Sequence, residues 1–549
     1  MLSTVVTANP PGVEVVGEGE HCTDPTRDLV TKSCPRPSRC IIARSEIAYE
    51  SERQQKTVAS LVQEFTIEPT KLKAIKDRFV IEMRKGLARQ GETLAMVQTH
   101  ILGRLDGSET GTYLTLDIGG TYLRVVLVEL SQGSKMITRQ KKYAIDPLLK
   151  VGEPKLLFDF MASCIGSFLL ANDIAIPKEC PLELGFTFSF PVLQTGINSG
   201  TLIDWTKGYS CHGMVGKDPA ELLRQVLLSR GLSVNVSVLM NDTVGTLLSH
   251  AYLHPRTVVG LGLGTGSNAA YIERVDRIVK RDISIYGDDA EASSKEMVIN
   301  IEFGAFDNER QVLPLTMYDN KVDRKSLMIA GMYLGEITRN VLLDLIDNRF
   351  LFQGQSSRKL DKPWEFLTEY MSVIEEDVTP NLENVRRVLE DNLALGRDEM
   401  QETNVGVDVK PEGIAVEASS QIATAELSPR EPTTTLSDRQ IVKLVVELVG
   451  QRSARLAAAA LGAILEHTMG CTWARDEVES EEGVDIGVDG SLYGFYPGFE
   501  SDLVCGLEEL FAQEPRMSFL CKKDKVRLGR CLDGSSVGAA LGALLATRQ

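Results

Sequence analysis

No unbroken run of apolar residues in this 549-residue chain is long enough to span a bilayer, and no membrane span is expected. Basic residues are scarce relative to acidic ones. The 59 Lys and Arg against 76 Asp and Glu give a formal net charge of −17, which argues against nucleic acid or an anionic membrane as a bulk partner. The opening Met1-Leu2-Ser3-Thr4-Val5-Val6-Thr7 lacks a basic start and a sustained apolar core, as a signal peptide would require. Glu14, Glu18, Glu20, Asp24 and Asp28 are equally out of place in a mitochondrial transit peptide. Cysteine is thin: ten residues scattered over the chain point to reduced thiols and a cytoplasmic setting. His21, Cys22, Cys34 and Cys40 lie near one another, but their spacing matches no common zinc pattern, and a solvated tail is the expectation. No Gly-Lys-Ser/Thr opens a helix, so a Walker loop is excluded.

What remains is ordinary globular material, with 43% hydrophobic and 25% charged residues, too long for one compact core. Residues 1–50 are rich in Pro, Thr and charge and read as a flexible extension. Helical stripes follow at Val58, Leu61, Val62 and Phe65, and at Leu72, Ile75, Phe79 and Met83. From Tyr113 the period changes. Tyr113–Ile118 and Leu123–Leu130 flank a Gly-Gly turn and read as a hairpin. Strands at Leu182–Phe188, Val236–Met240 and Val258–Gly262 then alternate with helices at Pro219–Ser229 and from Thr243, an α/β signature. Residues 325–350 read as a long helix with Met328, Ile329, Met332, Tyr333 and Ile337 as its buried stripe. Residues 398–435, with Pro411, Pro429 and Pro432 and scarcely any aromatic, read as a surface insertion. A buried helix at Ser453–His467, a strand at Val484–Val488 and a last helix at Val537–Arg548 complete the chain.

Three turns have the composition that phosphates require, because only glycine lets backbone N–H groups approach closely. They are Asp117-Ile118-Gly119-Gly120-Thr121, Gly264-Thr265-Gly266 and Asp489-Gly490-Ser491, each after a strand. Singly each is only a turn; three in one chain, with ordered acidic residues, are a pattern. Asp242 follows the strand Val236–Met240, where side chains of α/β sheets line ligand crevices. Its carboxylate has two readings, a base for an attacking hydroxyl or a cap for the helix from Thr243. Asp117 likewise could orient Mg²⁺ through water or bond turn amides.

These segments, with Phe188-Ser189-Phe190-Pro191, Trp205-Thr206-Lys207-Gly208, Asn241-Asp242-Thr243, Gly266-Ser267-Asn268 and Asn300-Ile301-Glu302, stand in the order found in hexokinases, which the chain resembles from about Leu61 to its C-terminus. Phe79-x-x-Glu82-Met83-x-x-Gly86-Leu87 and Gly331-Met332-Tyr333-Leu334-Gly335-Glu336 support the resemblance away from the polar motifs. The resemblance implies an α/β, two-domain actin-like (ribonuclease H-like) fold with a hinged cleft. The implied division is 1–50 extension, 51–240 small domain with its leading helices, 241–530 large domain, and 531–549 a C-terminal helix returning to the small domain. It implies ATP-dependent phosphorylation of a hexose such as glucose at its 6-hydroxyl, with Mg²⁺. Asp242 would be the base and Lys207 the cation beside the reacting hydroxyl. Ser189, Thr206, Lys207, Asn241, Asp242, Asn268 and Glu302 would bind the sugar. Asp117, Gly119, Gly120, Thr121 and Arg124, then Thr265, Thr368, Ser372 and Ser491, would serve the nucleotide, with Asp117 toward the metal.

The chain also departs from the family. Hexokinases read Gly-Gly-Thr-Asn-Phe-Arg where this sequence reads Gly119-Gly120-Thr121-Tyr122-Leu123-Arg124, so a phenol replaces a short amide at the first phosphate turn. The family's Asn-Pro-Gly segment before the Gly331-Met332-Tyr333-Leu334-Gly335-Glu336 helix is absent, Tyr318–Lys325 leads almost straight into Ser326-Leu327-Met328-Ile329, and Ser326 falls where the family has a sugar-binding Glu. Val97-Gln98 stands for Ile-Pro, and Ser536-Val537 lies in the last Gly-rich turn. A hydrogen bond to a charged group contributes roughly 1.5–3 kcal/mol, so the lost carboxylate predicts sugar binding weakened by about 10–150-fold. The expectation is impaired turnover in a sugar-responsive regulatory protein with a protein partner, with nuclear or organelle-surface association open to it. The competing expectation is an active hexokinase feeding glycolysis. A chaperone-like ATPase of the same fold gives the sugar-type residues no purpose.

Overall fold

The computed structural model describes residues 15–22, 47–177, 179–286, 292–322, 329–396, 433–469, 483–514, 517–521, 525–531 and 533–549. Two six-stranded sheets organise them. The first contains β1 (Val15–Cys22), β3 (Gly111–Ile118), β4 (Tyr122–Ser131), β5 (Lys135–Ala144), β6 (Leu182–Phe188) and β9 (Val234–Met240), in the order β1-β5-β4-β3-β6-β9. The second contains β2 (Val97–Leu102), β10 (Thr257–Leu263), β11 (Ser267–Arg274), β12 (Glu296–Asn300), β13 (Val484–Asp489) and β14 (Val526–Arg530), in the order β14-β13-β10-β11-β12-β2. A small hairpin, β7 (Val192–Gly196) with β8 (Ser199–Leu202), stands beside the first sheet.

The sheets share one plan. In each, three strands meander antiparallel (β3-β4-β5 and β10-β11-β12), and two more add in parallel on the other side (β6, β9 and β13, β14). Parallel strands need crossovers, which helices supply. Pro154–Ala171 and Pro219–Ser229 cover the first sheet, burying Leu157, Phe158, Met161, Ile165, Leu223 and Leu227 with the strand residues Leu114, Leu116, Leu184 and Phe186. Contrary to the expectation of no such run, Pro154–Ala171 is, among the described residues, the one helix long and apolar enough to cross a membrane, because its few polar residues interrupt it but leave its mean hydropathy high; here it packs a face of this core.

The helices Asp242–Leu253 and Gly534–Arg548 lie between the sheets. Their Val244, Leu247, Leu248, Val537, Leu541 and Leu544 form a third core with Val126 and Val128 of β4, Val238 of β9 and Ala270 of β11. They approach closely because Gly538 faces Gly245: a Cβ on Gly538 would lie 2.1 Å from the Gly245 carbonyl oxygen. The last helix also packs on β3, β6 and β9, as the return to the first unit requires.

Four more expectations change. The leading helices, Glu52–Phe65 and Pro69–Ala88, do not pack on the first sheet: Val58, Leu61, Phe79 and Met83 share a core with Val259, Leu261 and Ile299 of the second. Strand β2 pairs with β12 in that sheet. Sequence order had suggested the wrong neighbour, since a helical stripe shows that a face is buried but not against what. Within 1–50, Val15–Cys22 pairs antiparallel with β5 as an edge strand rather than forming a solvated tail; Cys34 and Cys40 lie outside the described residues. The helix expected over 325–350 is Gly331–Asp347, with Ile329 and Ile337 buried but Met332 exposed; Ser326 and Met328 lie outside the described residues. Of 398–435 only 433–435 are described. They lead into Leu436–Met469, a helix longer than the Ser453–His467 read from the sequence, and Thr434 and Thr435 are tied to Glu390 and Asp438.

Candidate functional site

Side chains at the strand ends of both sheets meet, those after β9 with those on β11 and after β12. At the end of β9, Asn241 caps the helix Asp242–Leu253, its Oδ1 accepting from the Thr243 amide at 3.0 Å. This bears on the capping reading of Asp242. Capping belongs to Asn241, and Asp242 is the first helical residue. Its Oδ1 shares the Thr243 amide at 2.9 Å, and Oδ2 carries no hydrogen bond among the described residues.

Asn268 on β11 and Asn300 and Glu302 at the end of β12 join Asn241 through a shared network. Asn268 Nδ2 donates to Asn300 Oδ1 at 2.8 Å and lies 3.3 Å from Glu302 Oε1, and Asn300 Nδ2 donates to Glu302 Oε1 at 2.8 Å. The Glu302 amide donates to Asn268 Oδ1 at 2.9 Å, and Thr243 Oγ1 donates to Asn241 Oδ1 at 2.9 Å. Burial pushes the Glu302 carboxyl above its ordinary range. The Asn300 bond opposes that, Asp242 adds to it, and the charge of Lys207 lowers it again. Asn300 and Thr243 were not singled out in the sequence. The quoted Asn300-Ile301-Glu302 and Asn241-Asp242-Thr243 contained them, but nothing in one sequence separates a network-forming Asn or Thr from a turn or capping residue.

Lys207 comes from the opposite wall. Its loop follows β8 and rests on aromatic packing: Trp205 stacks on Tyr209 at 5.3 Å, Phe190 meets Trp205 edge-on at 4.8 Å, and Lys207 Nζ lies 5.6 Å over the Phe190 ring. Tyr209 donates from its hydroxyl to the Gly119 carbonyl at 2.9 Å, fastening the loop to the first phosphate turn. A Cβ on Gly120 would come 3.9 Å from that of Lys207. Ser189 is buried directly after β6, whereas Thr206 and Lys207 are exposed. Lys207 and Glu302 both adopt left-handed backbone conformations, φ 56° and 58°, which non-glycine residues hold only when their surroundings impose them and which gather at functional sites.

The other two turns adjoin each other. Gly264 lies within 4.0 Å of Ser491 Oγ by its would-be Cβ, and Gly490, at φ 116°, allows no side chain because a Cβ would sit 2.2 Å from the Leu263 carbonyl oxygen. Thr265 and Ser491 are exposed there. The Gly264 carbonyl accepts from the Gly331 amide at 2.9 Å, which sets the start of the helix Gly331–Asp347. Thr368 and Ser372 occupy one face of the helix Thr368–Glu376, four residues apart. The Thr368 hydroxyl is engaged: it donates to the Gly331 carbonyl at 2.5 Å and accepts from Gly335 at 3.2 Å. Asp489 is half-buried, and that burial raises its carboxyl. The Gly490 amide at 2.7 Å offsets this, and Asp242 raises it further, so the third turn lies within electrostatic reach of Asp242. Arg124 pairs with Asp117, whose described hydrogen bonds all fall on Oδ2. Tyr122 is 43% exposed at the head of β4, and the alternation of the strand puts it on the face of Arg124.

The arrangement offers a polar basin of donors and acceptors, one Asp242 carboxylate oxygen outside any described hydrogen bond, and the ammonium of Lys207 within electrostatic reach of Glu302. Profiles of the family described as Hexokinase match residues 57–252 and 258–545. A glucokinase of Aspergillus niger is 36% identical over 508 residues, covering 86% of this chain and 93% of that protein. Hexokinase-1 of Schizosaccharomyces pombe is 34% identical over 519 residues, covering 93% and 94%. Among solved structures, hexokinase from Schistosoma mansoni complexed with glucose is 31% identical, with a TM-score of 0.71 over 90% of this chain and 99% of that one. The chain belongs to the hexokinase family and has its two-domain fold.

Proposed function

We propose that this member of the hexokinase family binds a hexose, glucose in the first instance, across its cleft and transfers a phosphoryl group from ATP to the 6-hydroxyl, more slowly than members with the full motif set. The observation carrying the sugar reading is the Asn241, Asn268, Asn300 and Glu302 network, assembled opposite Lys207. Hexose hydroxyls are donors and acceptors at once, and this basin presents both. Asp242 Oδ2 receives the proton of the attacking hydroxyl, and Lys207 offsets the charge that develops beside it.

The amides of Gly119–Thr121, Gly264–Gly266 and Gly490–Ser491 are suited to the phosphates of ATP. Asp117, with Oδ1 outside its bonds to Arg124 and Ser535, fits a hydrated Mg²⁺, which when bound would screen phosphate charge. The slower turnover rests on Tyr122, where a phenol occupies the face of β4 that carries Arg124, and on the shortened approach to Ser326. A displacement of about 1 Å near the reacting atoms costs about 100-fold in rate.

Sugar binding between the two walls favours closure by its differential affinity, and a protein partner could read the closed form. On this reading the protein responds to sugar in the cytoplasm, with nuclear or organelle-surface association if it acts through a partner. The intact basin equally supports a fully active hexokinase serving glycolysis. One assay separates the two: purified protein, saturating MgATP, glucose raised to high concentration, and glucose 6-phosphate measured directly. Family-typical turnover at low glucose would sink the impaired reading. Small-angle scattering with saturating glucose should show compaction; an unchanged radius of gyration without heat of binding removes the sugar response.

A further inference from the structure

Arg124 stands two residues after Tyr122 on β4, and all three of its guanidinium nitrogens are engaged by protein acceptors. Nε donates to Asp117 Oδ2 at 3.2 Å, Nη2 donates to the same oxygen and to Ser535 Oγ, the latter at 2.7 Å, and Nη1 donates to Asp533 Oδ1 at 2.9 Å. Ser535 Oγ closes the ring by donating to Asp117 Oδ2 at 2.8 Å. Burial works against the charge of Arg124, and Asp117, Asp533 and Asp489 together hold it protonated above the ordinary arginine range.

The partners belong to different parts of the chain. Asp117 is the penultimate residue of β3 and opens the first phosphate turn. Asp533–Ser535 is where the chain, leaving β14 in the second sheet, enters the last helix packed on the first. Asp533 precedes that helix in a left-handed conformation, φ 55°, and its carboxylate makes no capping bond, being turned to Arg124. Thr187 on β6 donates to the Ser535 carbonyl at 3.1 Å, so the re-entry point is pinned to the first sheet as well. The family resemblance made Arg124 part of the nucleotide segment, but a guanidinium already held by two carboxylates and a hydroxyl has little left for phosphate.

We propose that Arg124 is a positioning residue, a strut that ties the first phosphate turn to the crossover Asp533–Ser535, so that a change of angle between the sheets carries the turn with it. Asp533 and Ser535 thereby influence nucleotide binding without touching nucleotide. The proposal rests on the nucleotide reading of that turn for one of its two measurements only.

The test compares Arg124→Gln, Asp533→Gly and the double variant. Glycine accepts the left-handed backbone at 533, so only the carboxylate is lost; Asp533→Asn keeps an acceptor and serves as the conservative rescue. The first measurement is the affinity for trinitrophenyl-ATP with Mg²⁺ and saturating glucose. Asp533→Gly should weaken it about tenfold, the loss of one charge-assisted bond, Arg124→Gln at least as much because it also frees Asp117, and the double variant should be no weaker than the worse single. Asp533→Asn should fall between wild type and Asp533→Gly. The second measurement is amide hydrogen exchange over residues 117–124, which should quicken in Asp533→Gly. Wild-type affinity and exchange in Asp533→Gly, beside weakened binding in Arg124→Gln, would make Arg124 a direct ligand and overturn the strut, as would effects that multiply in the double variant. If the wild-type protein binds no nucleotide, the kinase reading fails, while exchange over 117–124 still decides the strut.

Discussion

The two sheets are built on the same strand order, so they can be compared place by place. The β3–β4 turn corresponds to the β10–β11 turn, the end of β6 to the end of β13, and the end of β9 to the end of β14. Each pair opens on the cleft, because parallel strands in an α/β sheet expose their carboxyl ends together. What differs is the side chain at each place. The end of β6 carries Ser189 and the end of β13 carries Asp489-Gly490-Ser491. The end of β9 carries Asp242 with one carboxylate oxygen open, whereas Asp533, after β14, is bound to Arg124. Topology thus supplies two sets of equivalent positions, and chemistry is assigned by what each side chain is already bonded to.

The sharpest way to break this comparison is at its two aspartates. Asp242→Ala should lower glucose phosphorylation by about 10²–10⁴-fold, the range for a lost general base, while calorimetry shows glucose still bound. The equivalent change at Asp533 should leave the chemical step intact and act on nucleotide affinity alone. Equal losses of single-turnover rate at both positions would mean that strand-end position, and not free carboxylate, decides the role.

Next in size is the contrast between the two hairpin turns. Gly264-Thr265-Gly266 keeps a small residue at its centre, whereas Gly119-Gly120-Thr121 runs into Tyr122. Tyr122→Asn restores the family's residue and should raise kcat by up to about 100-fold if the phenol displaces phosphate. Unchanged kcat would clear Tyr122 and leave the proposal of slow turnover resting on the segment around Ser326 alone. Below that stands the basin. Glu302→Gln leaves the shape and removes the charge, and should weaken glucose by about 10–150-fold with nucleotide affinity unaltered. A parallel loss of nucleotide affinity would show that the two halves of the cleft are not separable.

The repeated plan itself was only partly legible in the sequence. The hairpin around Gly119–Gly120, the strands at Leu182–Phe188 and Val258–Gly262 and the helix at Pro219–Ser229 all follow from local period and turn residues, and they formed where the pattern placed them. The leading helices did not declare their partner, since amphipathic spacing fixes a buried face but not the sheet beneath it. At the site, Asn241, Asn268 and Glu302 were found through motif order, and the structure brings them together. Asn300, Thr243, Asp533 and Ser535 escaped. Each is a small polar residue whose part depends on a partner distant in sequence, Arg124 and Ser535 being separated by 411 positions. The same distance explains why Arg124 looked like a phosphate residue: the local motif contains the turn, and the crossover that occupies the guanidinium lies at the other end of the chain.

The smallest effect concerns the ionisation of Glu302, and its sign follows from linkage. Burial is the first cause raising this carboxyl in the folded protein, with Asp242 adding to it, while the bonds from Asn300 and Asn268 and the charge of Lys207 pull the other way and do not cancel it. A carboxyl whose folded-state pKa exceeds its unfolded value holds its proton longer in the native state. Its contribution to stability is therefore fully present below the unfolded pKa and is lost as pH rises through the folded one. Glu302→Gln cannot titrate, so that loss should vanish in the variant. Urea unfolding of both proteins from pH 4 to pH 7 should show the variant gaining on wild type as pH rises, with the gap levelling above the folded pKa. A gap that is constant with pH would mean that Glu302 titrates alike in both states, and the basin would then be wetter than its closed network implies. Glucose should shrink the gap at neutral pH, because wild type alone recovers stability by offering the sugar an ionised acceptor, and that recovery depends on the free sugar concentration.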